Sequence, residues 1–136
     1  MTCEESLRSY GFVPAETSLD SIRLLLQEEI ELESNGEQRE DDLALLCCVQ
    51  LFINGLVEDS LLIWKAKNSG FDLGCYLDVH LLCGRGLERT KQFLTNHNSE
   101  ESLAALSYIE ACEKSGDFLN WSPESQIQFY RNYFGV

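Results

Sequence analysis

Cys75, Asp78, His80 and Cys83 stand close together in the chain, and their types come nearest to a metal or thiol centre. Helical residues three apart share a face, so a helix through this stretch would let His80 and Cys83 reach one ion, as zinc accepts both imidazole nitrogen and thiolate sulfur. Cys75 precedes His80 by five positions and falls well round the helix from that face, while Asp78 and His80 point apart. No CxxC or HxxxH spacing occurs anywhere. No metal site is therefore expected.

Nucleophilic catalysis by cysteine needs a thiolate beside a base and a site that stabilises an anion. His80 and His97 are the only histidines, and Cys83 sits in an apolar run that raises a thiol pKa. Gly84-Arg85-Gly86 is a glycine-rich turn ahead of a helical segment, a place where an anion can meet a helix amino terminus. It lacks the lysine–serine ending of a phosphate loop and follows no strand, so an interhelical turn is the expectation. Asp78, His80, Cys83 and Arg85 together make a candidate ligand site, with no catalytic residue assigned and no cofactor implied.

Charge is the stronger signal. The chain of 136 residues carries 23 acids against 10 bases, net −13. Residues 1–60 hold net −11, residues 61–97 net +2 and residues 98–136 net −4. A chain so acidic repels nucleic acid phosphates and anionic membrane surfaces, and it suits a basic protein partner. The densest acids are Glu28, Glu29, Glu31, Glu33, Glu37, Glu40, Asp41 and Asp42, which form the candidate partner-binding face. Four of them crowd the carboxyl end of a helix, its negative pole, where acids oppose stability. The basic island Lys65, Lys67, Arg85, Arg89 and Lys91 is expected to pair with the glutamates of 28–33. The aromatic set Phe118, Trp121, Phe129, Tyr130, Tyr133 and Phe134 is expected to close the core, with Trp121, Tyr130 and Tyr133 as anchors for a partner or a homodimer.

These groups must be positioned by helices. From Leu43 to Leu94 apolar residues cluster three and four apart and break at Gly55, Gly70, Gly84 and Gly86, the pattern of short helices that end on glycine. Residues 1–16 read as an irregular lead-in with a short turn of helix ahead of Gly11. A helix follows from Thr17 or Ser18, opened by a Thr17/Asp20 capping box, and a polar connection occupies 34–41. The next helix, about 41–54, is apolar all round and should be central. Further helices are expected at about 57–69, 72–83, 87–95, from a cap at Asn98 to 114, and from Ser122-Pro123 to the end. No stretch alternates with the period of a strand.

A composition 44% hydrophobic can bury about two-thirds of the unfolded surface and leave about 7,000 Å² exposed. The reading is all-α: one compact domain over 1–136 with about six or seven short helices. It is either an irregular bundle or a short helical-hairpin stack, since Gly55-Leu56 and Gly86-Leu87 echo each other weakly. Six cysteines without a secretory leader point to a reducing compartment, so the cytoplasm is expected, and no apolar run is long enough to span a bilayer. The expected function is a non-catalytic acidic interaction module, of the kind an immunity or inhibitor protein uses to cover a basic partner. A ligand-binding or enzymatic domain at His80 and Arg85, and a homo-oligomeric structural subunit, are the alternatives.

Overall fold

A run of ten consecutive residues, Leu43 to Phe52, has no side chain that meets solvent appreciably. They belong to α3 (Leu43–Asn54), whose apolar residues cover its whole circumference and therefore require cover on every side. The computed structural model describes residues 1–39 and 41–136, and among these every regular element is helical. Around α3 stand α1 (Cys3–Tyr10), α2 (Leu19–Ser34), α4 (Asp59–Lys67), α5 (Phe71–Tyr76) and α8 (Pro123–Phe134), while α6 (Leu87–His97) and α7 (Glu100–Lys114) form a hairpin that reaches the core through α4. Two 3-10 turns, Glu16–Ser18 and Val79–Leu82, complete the described elements. The exposed surface is 7542 Å², close to the value expected for this length.

The last helix, α8, packs against α3, as do α1 and α2 from the other end of the chain. A hairpin stack would let each unit touch only its sequence neighbours. The arrangement is an irregular bundle around one helix. The longest helix pair is α2 on α3, built from Leu19, Ile22, Leu26 and Ile30 at helical spacing. Arg23 of α2 then grips Asp59 at the start of α4 through two bonds, Nε to Oδ1 at 2.8 Å and Nη2 to Oδ2 at 3.0 Å.

Several local expectations change. The lead-in is ordered: Thr2 and Glu5 make a full capping box for α1, and Gln50 of α3 donates to Gly11 O at 2.9 Å, tying α1 down. The Thr17/Asp20 box does not form. The 3-10 turn at 16–18 runs straight into α2, so its own backbone carbonyls take the first N–H groups, and Asp20 pairs with Arg23 instead. The α7 cap is Ser99 with Ser102, one residue past Asn98, because Asn98 takes the left-handed conformation that ends α6.

The expected helix over 72–83 is two pieces. α5 stops at Tyr76, Leu77 is extended, and the 3-10 turn carries Val79–Leu82. Gly74 weakens the short helix from within, and the Lys67 ammonium caps its end by donating to Gly74 O (2.8 Å) and to Leu77 O just past it (2.5 Å). At the far end of this region Gly84 lies directly on α3: a Cβ there would stand 2.6 Å from Phe52 O, a backbone atom that cannot swing away. Gly84→Ala is expected to lower stability by about 2 kcal/mol, read as a reduced urea midpoint at unchanged slope.

Candidate functional site

The acids at the end of α2 do not share one exposed face. Glu29 and Glu33 turn inward, their side chains 9% and 6% exposed, and Arg39 from the following connection lies between them. Arg39 Nε approaches Glu29 Oε1 at 3.3 Å and Nη2 meets Glu33 Oε1 at 2.5 Å. The second Glu33 oxygen accepts the Leu73 N–H at 2.9 Å, so the cluster also holds the first turn of α5. Glu33 lies so close to the backbone at Gly70 that a Cβ there would come within 2.5 Å of its Oε2. The unfavourable position of these acids on the α2 dipole is thus offset by a tertiary cation.

The two carboxyls titrate in opposite directions. Burial raises Glu29 more than Arg39 lowers it. Burial also pushes Glu33 up, but the Leu73 N–H and the Arg39 guanidinium together outweigh it and hold Glu33 below its ordinary value. Glu33 therefore stabilises the fold above the ordinary carboxylate range and loses that contribution as pH falls through its lowered value. Glu29 does the reverse, opposing the fold once ionised above its raised value.

Asp41 and Asp42 serve as tethers for the two ends of the fold. Asp41 accepts the Leu43 N–H at 3.2 Å and the Cys3 N–H of α1 at 2.8 Å. Asp42 accepts the Tyr133 hydroxyl of α8 at 2.6 Å, and that bond, with burial, pushes the Tyr133 phenol up to about 12. Glu28, Glu31 and Glu37 are exposed, and Glu40 lies outside the described residues.

Two clefts meet at these tethers. One, of about 320 Å³, is walled by Glu37, Arg39, Asp41, Asp42, Asp72 and Tyr76 over a floor of Ala44, Leu45 and Leu73. The other, of about 630 Å³, shares Asp41 and Asp42 and continues between α1 and α8 past Cys3, Leu7, Tyr133 and Phe134. The two clefts have Asp41 and Asp42 in common.

The Asp78, His80, Cys83 and Arg85 set is not brought together. His80 stacks on Trp121 (centroids 5.3 Å apart), meets Phe118 edge-on and bonds Asp117 O at 2.7 Å, so it fastens the 3-10 turn to the loop before α8. Asp78 is exposed, while Cys83 is wholly buried and its thiol is pushed up to about 12 by burial. Arg85 lies against Gly55 and faces a separate cleft with Arg89 and Glu58. No cluster of three or more His, Cys, Asp or Glu side chains able to hold a metal occurs among the described residues.

The basic island does not pair with the glutamates of 28–33. Arg39, closer in sequence, takes that place; Lys67 caps α5 and Lys91 bonds Glu113 at 2.9 Å. Tyr130 is buried and half-buried Trp121 donates to Gln126 at 2.8 Å, so both close the core, whereas Tyr133 and Phe129 stay half exposed to solvent.

Two exposed residues of α5 escape the sequence reading, of which Tyr76 lines the first cleft. Phe71 is the most exposed large apolar side chain, at 84%, and Tyr76 is 61% exposed. Read as part of a longer buried helix, Tyr76 counts as core. The internal Gly74 is the signal that the helix is short. Among the described residues, no helix is long and apolar enough to cross a membrane. Comparison with protein-family models, curated protein sequences and solved structures returns no match.

Arg39→Met leaves two buried carboxylates without their cation. A loss of about 3 kcal/mol is expected near pH 7, narrowing toward about pH 4 as the carboxyls take up protons, measured by urea unfolding at both values. All six cysteines are free. A thiol-reactive disulfide reagent, followed by mass spectrometry, is expected to label exposed Cys75 first and buried Cys47, Cys48 and Cys83 only on unfolding.

Proposed function

We propose that this chain is a non-catalytic helical module that binds a basic protein partner, in the manner of an inhibitor or immunity-type protein that covers a cationic surface. The observation that carries the reading is the first cleft, where Glu37, Asp41, Asp42 and Asp72 share one wall system with a single cation, Arg39, already engaged by Glu29 and Glu33. Four carboxylates gathered at one cleft present a field that steers a cationic partner and strengthens close charge pairs when water leaves. Glu28 and Glu31 extend the negative surface along α2. The same field opposes two copies meeting through this face and repels nucleic acid. Free thiols throughout suit a reducing compartment such as the cytoplasm.

The test captures partners on tagged protein from its native cell extract at low and high salt and identifies them by mass spectrometry. A basic partner is expected at low salt and is lost as salt rises, because charge attraction between exposed groups is screened beyond about 8 Å at physiological ionic strength. Replacing Glu28, Glu31, Glu37 and Asp72 by their amides leaves the tethers Asp41 and Asp42 intact. If this variant keeps the partner with the same salt dependence, the reading fails.

A further inference from the structure

We infer that Glu29, Arg39 and Glu33 form a proton-operated latch on α5 and on the connection before α3, tightest when the two carboxylates share one proton and released when they hold two. The stoichiometry is the reason. Two inward-facing carboxylates stand beside one guanidinium, and all three side chains are largely shielded from water. With both acids ionised the cluster keeps one uncompensated negative charge where water scarcely reaches, which opposes the fold. One proton removes that charge. A second leaves the arginine with no anion to hold.

Geometry assigns the order of uptake. Glu33 Oε1 accepts from Arg39 Nη2 at 2.5 Å, and its Oε2 accepts the Leu73 N–H at 2.9 Å. Glu29 has only the longer approach of Arg39 Nε, at 3.3 Å. Hydrogen bonds to an ionised carboxylate favour that form, so the first proton goes to Glu29 and the second to Glu33. The opposite displacements of the two carboxyls from their ordinary values agree with this order. Among the described residues, Asp41 on the connection and Glu28 on α2 face Glu29 with charges that favour its proton, while the amino group at the chain start opposes it. The Cys47 thiol of α3 also faces Glu29. From α5 the Asp72 N–H faces Glu33, and the Asp72 and Glu37 carboxylates line the first cleft with Arg39.

The latch holds an element that cannot hold itself. The six residues of α5 have no helical stability of their own in water. Leu73 N–H belongs to its first turn, where no helical carbonyl is available, and Glu33 answers it. Between neutrality and the ordinary carboxylate range, protonation of Glu29 gives Arg39 wholly to Glu33. Below that range, protonation of Glu33 releases Arg39 and Leu73 together. Arg39, Asp72, Leu73 and Tyr76 all line the first cleft, so the two protons set that wall while α3 stays packed.

The Leu73 amide reports the latch directly, because its acceptor is the Glu33 carboxylate. Amide hydrogen exchange of the full chain, corrected for the intrinsic effect of pH, compares Leu73 with Val49 and Leu51 of α3. Leu73 protection is expected to rise about threefold between about pH 7 and about pH 5.5, then to fall about tenfold below about pH 4, with Val49 and Leu51 still protected. Glu29→Gln removes a buried charge and keeps the shape; in it the rise is expected to vanish and the acid fall to remain. Leu73 protection that is flat or falls steadily from pH 7 overturns the inference. So does a rise that survives in Glu29→Gln, or loss of Leu73 and α3 protection at the same pH. The readout involves no partner, so its failure leaves the binding reading standing.

Discussion

A helix with no polar side must be surrounded, and that requirement on α3 organises the molecule. Elements from both ends of the chain converge on it because each has an apolar stripe to bury and α3 offers the largest dry surface. The polar atoms that come inside with them are nearly all answered. Gln50 donates to Gly11 and Ser6, Ser60 donates to Leu82 O, and Asp59 receives Arg23. The Oε1 of Gln50 is the one buried side-chain acceptor among the described residues without a partner. One such atom in a chain this size is ordinary.

The second organising interaction is the Arg39 guanidinium between Glu29 and Glu33. A buried ion pair of this kind contributes little net stability over an apolar replacement, because desolvation opposes the attraction. Its effect here is geometric. It fixes the connection after α2, the beginning of α5 and one wall of the cleft to each other, so three segments that share no apolar stripe keep a fixed relation.

Much of the fold was legible because it follows local rules. The all-round apolarity of Leu43–Phe52 announced the central helix, Gly55 its end, and Ser122-Pro123 the start of the last helix. What was not legible depends on partners distant in sequence. No local pattern reveals that Arg39 folds back onto two glutamates, or that Lys67 caps the short helix that ends at Tyr76. The acids therefore read as one stripe, whereas the seven described ones divide into an ion cluster, two tethers and a solvent-facing remainder. The candidate set at His80 dissolved for a related reason: His80 is drawn onto Trp121 and Asp117 O from later in the chain, Cys83 is buried, and Arg85 faces another cleft.

Asp41 and Asp42 also act as a clasp. They join the α1 backbone and the α8 side chain Tyr133, segments that lie far apart along the chain. Contacts of such wide sequence separation close large loops at an entropic cost that local helices do not carry. The same two side chains that carry negative charge at the cleft therefore also hold α1 and α8 to the connection before α3, and a change of charge there is at once a change in how distant segments are fastened.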